Sequence, residues 1–479
     1  MGVENRALCV AAEGRPVSAT PSGPSGGALG GWKGLVALLS LSLCGLLWLS
    51  GLQQSLERPS VNDALTIRQL ELAVQAEAAI PPGLARSLGG GDPREALAKE
   101  LRQGVEAESG APQPEQALEL ALLESGSKRL TRLEAVTPQV PPEQRAVINA
   151  LTASTGAGLQ RQEIDLLLAP WPVSRFTRQL VCTQLAADPS SCETQAADRS
   201  ALARWLAVSV APVLFLLVGS ALMLWEFWRR WRGTAPALPP LQGPPLGLAD
   251  VTILVAGGFV VLGELFVPQL LIPLVQTLLA PLAGRPALAQ GLQVLLLYGG
   301  LMVAPLLILS RLLRPLGQPP TAGWLQWRWR PVGSALGLGV SHVLMVLPAV
   351  ALSGWLLERL WNNASGSNPL LELVLTTGDP IALGALALTA MVLAPMFEET
   401  LFRGVLLPVL GQRWGRAWGV LVSALTFGLA HLSLGELAPL VVLGLALGWL
   451  RLRSGRLAPC VLMHGLWNGL TFLNLVLLA

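Results

Sequence analysis

About nine stretches of this chain run for roughly twenty residues with almost no charged side chain, the length a helix needs to cross a hydrocarbon core of about 30 Å. Inside lipid every backbone N–H and C=O must find its partner within the segment, so such runs can only be helices. Composition agrees, with 52% hydrophobic and 13% charged residues and a mean hydropathy of +0.54. These values exclude an ordinary soluble protein. The expected fold is an all-α polytopic membrane protein of about nine transmembrane helices, with an extracytoplasmic helical domain between the first and the second.

Five regions follow from the pattern. Residues 1–33 are rich in Gly, Ser, Pro and Ala without periodicity and read as a disordered tail. Residues 34–52 form a transmembrane anchor. A cleaved signal peptide is the competing reading, but the apolar run is too long and no small-residue cleavage site precedes Gln53-Gln54. Residues 53–200 are the soluble part, holding nineteen of the thirty Asp and Glu residues between Glu57 and Asp198. Apolar spacing there predicts short helices broken at Pro81-Pro82, Pro112 and Pro141-Pro142. Cys182 and Cys192 could close a small loop as a disulfide or remain free thiols. Residues 201–332 hold further transmembrane helices and linkers, and residues 333–479 the last group of spans.

Arginines set the expected orientation, because basic residues mark cytoplasmic ends. Arg229, Arg230 and Arg232, then Arg311 and Arg314, then Arg413 and Arg416, then Arg451, Arg453 and Arg456 follow or precede apolar runs in alternation. Residues 53–200 are thereby expected outside the cytoplasm, where they could contact an unknown partner or the substrate. Tryptophans next to arginines, such as Trp228, Trp327 and Trp329, fit an interfacial belt. The net charge of +3 shows no block of like charge, so no nucleic-acid partner is expected.

Against this background three patches stand out. Glu398 and Glu399 with Arg403, Phe427 with His431, and His464 with Asn468 put ionisable and hydrogen-bonding groups inside apolar runs. Such groups cost several kcal/mol in hydrocarbon, about 2.5 to 3.5 on insertion scales, and mark sites facing one another or a water-filled cavity. Glu398 lies fifteen residues before Arg413 and His431 fifteen after Arg416, so each is expected about 22 Å from the arginine edge of straight helices. His464 and Asn468 follow Arg456 by eight and twelve residues, at about 12 and 18 Å. Pro395 and Pro408 are expected to kink the helix carrying Glu398. Glu399 and Arg403, four apart, share a face and can pair, whereas Glu398 lies about 100° round the helix. A carboxylate beside an imidazole in a low-dielectric cavity suits activation of water. An Asn and a second His can donate to the oxyanion formed when water attacks an amide carbonyl. Taken singly, each patch also reads as a strut or interhelical bond. His342 reads as a packing residue, and Glu264 as a polar-pathway candidate whose partner is unknown. Cys44 and Cys460 read as inert packing.

The ordered set Glu398-Glu399-x-x-x-Arg403, Phe427-x-x-x-His431 and His464-x-x-x-Asn468, on successive spans, resembles the CPBP family, the CAAX-protease and bacteriocin-processing intramembrane endopeptidases. The resemblance covers roughly residues 333–479. It implies that Glu398 is the general base assisted by His431, that His464 and Asn468 form the oxyanion site, and that Glu399 with Arg403 braces the structure or positions water. The implied substrate is a membrane-associated or lipidated protein or peptide. The family has been described as metalloproteases, and zinc on Glu398, His431 and His464 is the alternative to a metal-free glutamate mechanism. A proton-coupled transporter or a non-catalytic scaffold or immunity protein is the alternative from another class. The expected location is the lipid bilayer of a bacterial inner membrane or a cyanobacterial thylakoid, with the chamber open to the cytoplasm.

Overall fold

The computed structural model describes residues 31–57, 61–77, 79, 91–107, 114–153, 158–171, 173–192, 195–360 and 369–479. Most of the expected tail, the breaks at Pro81-Pro82 and Pro112, and residues 361–368 lie outside the described residues. Among the described residues there is no strand, only an isolated bridge between Leu159 and Ala186.

Helix α1 (Trp32–Glu57) leads into a cluster of shorter helices: α2 (Val61–Glu77), α3 (Pro93–Ala107), α4 (Pro114–Leu123), α5 (Ser127–Val136), α6 (Arg145–Ala153), α7 (Arg161–Leu168) and α8 (Arg175–Leu185). Their apolar faces meet in two small cores, one around Leu118, Leu133, Ile148 and Leu168, the other around Leu97, Leu101 and Leu120. Ser174 caps α8 by accepting from the Thr177 backbone N–H at 3.1 Å, and Cys182 and Cys192 are joined as a disulfide. This accessory cluster is seated on the long helices through Leu65 and Leu72, which pack with Ala201, Val208 and Leu478.

The long helices are α9 (Arg199–Trp231), α10 (Leu248–Leu282), α11 (Pro286–Leu316) and α12 (Val332–Leu360). After the short α13 (Pro369–Thr376) come α14 (Pro380–Trp414), α15 (Arg416–Ala430), α16 (Leu434–Ser454) and α17 (Ala458–Leu478). Eight of the described helices, all of these long ones and α1 but not α13 or α15, are long and apolar enough to cross a membrane. Among the described elements α15, of 15 residues, is a shorter apolar helix. It ends at His431 because Leu432 turns into the left-handed region (φ 51). The polar stretch before α14 holds helix α13, whose Val374 buries itself against Leu386 and Leu475.

Pro395 and Pro408 do not break α14. The chain is π-helical over Thr389–Leu393 and Thr400–Leu406, each segment ending two residues before a proline. The same holds for Leu206–Val210 before Pro212 and Ile253–Phe266 before Pro268. A proline ring collides with the carbonyl four residues back and supplies no N–H, and a wider turn relieves both problems without ending the helix.

Linkers pack against the arginine-rich end of the bundle. The buried Arg451 donates to the carbonyls of Arg403 (3.2 Å) and Gln242 (2.8 Å). Arg456 donates to Ser334 Oγ at 2.9 Å and to the Arg330 carbonyl at 3.2 Å. A Cβ on Gly243 would meet Pro408 at 2.2 Å, so the linker before α10 lies directly on α14.

Candidate active site

The three polar patches converge in the middle of the C-terminal bundle. Glu399 and Arg403 are completely buried and pair at 2.8 Å, one turn apart on α14. Arg403 also donates to the Gly444 carbonyl at 3.1 Å. At Gly444 α16 also passes close to α15, where a Cβ would meet Ala424 Cα at 2.9 Å. His464 on α17 completes the group, its Nδ1 lying 2.9 Å from Glu399 Oε1. A carboxylate can only accept there, so His464 Nδ1 carries the hydrogen and Nε2 points away from Glu399.

Glu398 faces the other way. Its Oε1 accepts from the Tyr298 hydroxyl of α11 at 2.9 Å. Its Oε2 is buried without a hydrogen-bond partner, 3.9 Å from His431 Nε2 and 4.0 Å from His464 Nε2. His431 donates from Nδ1 to the Phe427 carbonyl at 2.8 Å. In the neutral rings both Nε2 atoms are therefore acceptors, and so is Oε2. Three acceptors, with Oε2 about 4 Å from each Nε2, are satisfied by a proton or by a water that donates to two of them.

Asn468 donates from Nδ2 to the Ala390 carbonyl at 2.7 Å. That carbonyl is free for a local reason. In the π segment the Ala394 N–H bonds Thr389, and the next residue, Pro395, has no N–H to offer Ala390. Asn468 keeps a second amide hydrogen.

Two structural supports escaped sequence reasoning. Tyr298, the only tyrosine of the chain, lies a hundred residues before Glu398, and its rarity was the one available signal. The turn after His431 is held by α1: Ser55 Oγ accepts from the Leu434 N–H at 3.0 Å, and Gly51 leaves room for Leu432, whose Cδ2 is 3.1 Å from where a Cβ would be. No local pattern marks either residue. His342 is buried as expected, with Nδ1 2.8 Å from the Leu338 carbonyl, and lies 3.5 Å from Arg453, which pairs with Glu226 at 3.0 Å.

A cavity of about 1020 Å³ adjoins the group. Glu398, His431, His464 and Asn468 line it, whereas Glu399 and Arg403 stand behind the wall. Glu264, whose partner the sequence left open, lines the same space beside Tyr298. The cavity's lining extends from Phe402 and His464 towards Thr66, Glu358 and Glu436, at the end of the bundle opposite that carrying Arg413, Arg416, Arg451 and Arg453.

Residues 380–470 match the family model described as type II CAAX prenyl endopeptidase Rce1-like. Residues 62–203 match a domain of unknown function (DUF8675). A curated Escherichia coli protein described as an uncharacterized 24.3 kDa protein is 44% identical over 82 residues, an alignment taking in 16% of this chain and 38% of that relative. The chain thus spans well under two thirds of that relative's length. No solved structure matches the chain.

Proposed function

From the membership of residues 380–470 in the type II CAAX prenyl endopeptidase Rce1-like family, we propose that this integral membrane protein is an endopeptidase that hydrolyses a peptide bond with water activated by Glu398. The observation that carries the reading is the meeting of Glu398 Oε2 with the Nε2 atoms of His431 and His464 at 3.9 and 4.0 Å on the wall of a cavity.

A water between these atoms gives one hydrogen to Glu398 and one to an imidazole, which aims its lone pair at a substrate carbonyl. On attack Glu398 takes the proton and the carbonyl oxygen becomes an oxyanion. His464 in its protonated form donates from Nε2 while Nδ1–H stays on Glu399, and Asn468 offers its second amide hydrogen. Glu398 passes the proton it took to His431 Nε2, 3.9 Å away, and His431 delivers it to the departing amine as the C–N bond breaks. Arg403 and Glu399 hold His464 in place without touching the substrate. Tyr298 takes one oxygen of Glu398 so that the other faces the water.

Glu398, His431 and His464 have the donor chemistry of a zinc site, with both outer ring nitrogens donating to oxygen as metal-bound histidines do. Their spacing fits less well. A tetrahedral zinc at about 2.0 to 2.1 Å needs ligand atoms about 3.3 Å apart, against 3.9 and 4.0 Å here. The metal-free mechanism is therefore the one we derive, and processing in chelator-washed membranes is expected to continue undiminished.

The substrate class is a membrane-associated or lipidated polypeptide. Protein termini in membranes bearing the wild type are compared by mass spectrometry with those bearing Glu398→Gln at matched levels. Termini that vanish in the variant identify the chain as a peptidase and name its substrates. Identical sets, under conditions where the protein is needed, would assign the buried cluster to a scaffold or a proton-coupled transporter.

A further inference from the structure

The cavity runs out along the helix ends opposite those where most arginines gather, past Arg359 next to Glu358 and on the side where Arg285 pairs with Asp379. On α12 the lining residues Gly354 and Glu358 lie near the C-terminus, whereas Arg328 and Arg330 precede its N-terminus. On α16 the order is reversed, with Gly435 and Glu436 lining and Arg453 at the far end. On α17 the lining continues to Thr471 and Leu475, far from Arg456. At the arginine end itself, Arg451 and Arg456 bind the carbonyls of Gln242 and Arg330 and draw the linkers across the bundle.

The other end carries the accessory helices. Helix α2 contributes Thr66 to the cavity wall, and its Leu65 packs with Val374 of α13 and Leu475 of α17. Arginine placement assigns the arginine-rich end to the cytoplasm. The accessory cluster then faces outward, where its Cys182–Cys192 disulfide is chemically at home.

We propose that the cavity takes its substrate from the accessory-domain face, outside the cytoplasm, and that α2 forms part of the wall along which that extracytoplasmic polypeptide lies. This assignment of the substrate class rests on reading the cavity as a peptidase site, but the route of access can be tested without catalysis.

The test uses the full chain in sealed membrane vesicles of each orientation, with Cys9, Cys44 and Cys460 changed to Ser and the disulfide left intact. Glu436→Cys reports on the cavity and Gln412→Cys, exposed at the arginine end, on the opposite face. The probe is a membrane-impermeant maleimide. Glu436→Cys is expected to label roughly tenfold faster from the face opposite to that labelling Gln412→Cys, since thiol reactivity follows access. Adding Thr66→Trp is expected to slow that labelling and to reduce the processed termini. Labelling of both positions from the same face overturns the proposal. So does a Glu436→Cys thiol that reacts only after denaturation. If Glu398→Gln leaves all termini unchanged while Glu436→Cys still labels from the accessory face, the peptidase reading falls and the access route stands. If termini vanish with Glu398→Gln while both cysteines label from the arginine face, the access route falls and the peptidase reading stands.

Discussion

Phe427 fills the point where the charged and ring side chains of the site meet. The Arg403 guanidinium lies 4.4 Å from its ring centroid, the His431 ring 4.7 Å and the His464 ring 5.6 Å. One aromatic residue a turn before His431 thus supplies a face for the cation and steeply inclined contacts to both imidazoles. The buried pair behind it is the most exacting element of the site. Arg403→Met leaves Glu399 charged and uncompensated and is expected to cost about 3–5 kcal/mol in a detergent unfolding assay. Adding Glu399→Gln to Arg403→Met is expected to restore much of that loss, since no bare charge then remains. Tyr298→Phe removes one hydrogen bond to a carboxylate, worth about 1.5–3 kcal/mol. It is expected to lower the yield of Glu398-dependent termini at unchanged protein level; full yield would remove Tyr298 from its positioning role.

Among the elements, α14 and α17 depend most closely on small residues. A Cβ on Gly465 would meet the Met391 carbonyl oxygen at 2.6 Å, within the π segment that frees Ala390 for Asn468. Gly465→Val is therefore expected to push α17 outward, to cost about 1–3 kcal/mol in the same assay, and to lower processing by displacing His464 and Asn468 together. A valine variant that unfolds and processes like the wild type would mean the helices can separate without harm. The π segments also explain why two prolines inside α14 leave it continuous: the wider turns absorb the missing N–H and the ring clash.

At the scale of the whole molecule, the accessory cluster adds a pH response of its own. Glu119 and Glu71 are buried there. Burial pushes Glu119 up to about 8, with neighbouring Glu71 adding to the effect and a hydrogen bond from Thr177 opposing it. Burial likewise pushes Glu71 up to about 7, against the pull of Arg68 at 3.1 Å, while Glu115 nearby works in the same direction as burial. Unfolded, both would titrate near 4.5. The folded state therefore holds more protons between these values, and stability falls as pH rises. The contribution is complete below about pH 4.5 and gone above about pH 8. Hydrogen exchange in α2 and α4, corrected for intrinsic rates, is expected to quicken from pH 6 to pH 8.5. Glu119→Gln should flatten that dependence, and an unchanged slope would exclude Glu119 as its source.

The positions of the long helices were legible because length and apolarity alone satisfy the bilayer, and the site set was legible because a carboxylate or imidazole is rare in such runs. Rise per residue puts Glu398 and His431 at one level for straight, untilted helices, and the structure brings Glu398 Oε2 to 3.9 Å from His431 Nε2. Tyr298, Ser55 and Gly51 were not legible, since their roles depend on which helices become neighbours, and no local pattern carries that information. The same limit applies to the cavity. Sequence determines how many residues separate each polar group from a helix end; only the packing of linkers against the arginine ends, and of α2 and α13 at the other, decides which residues line the cavity.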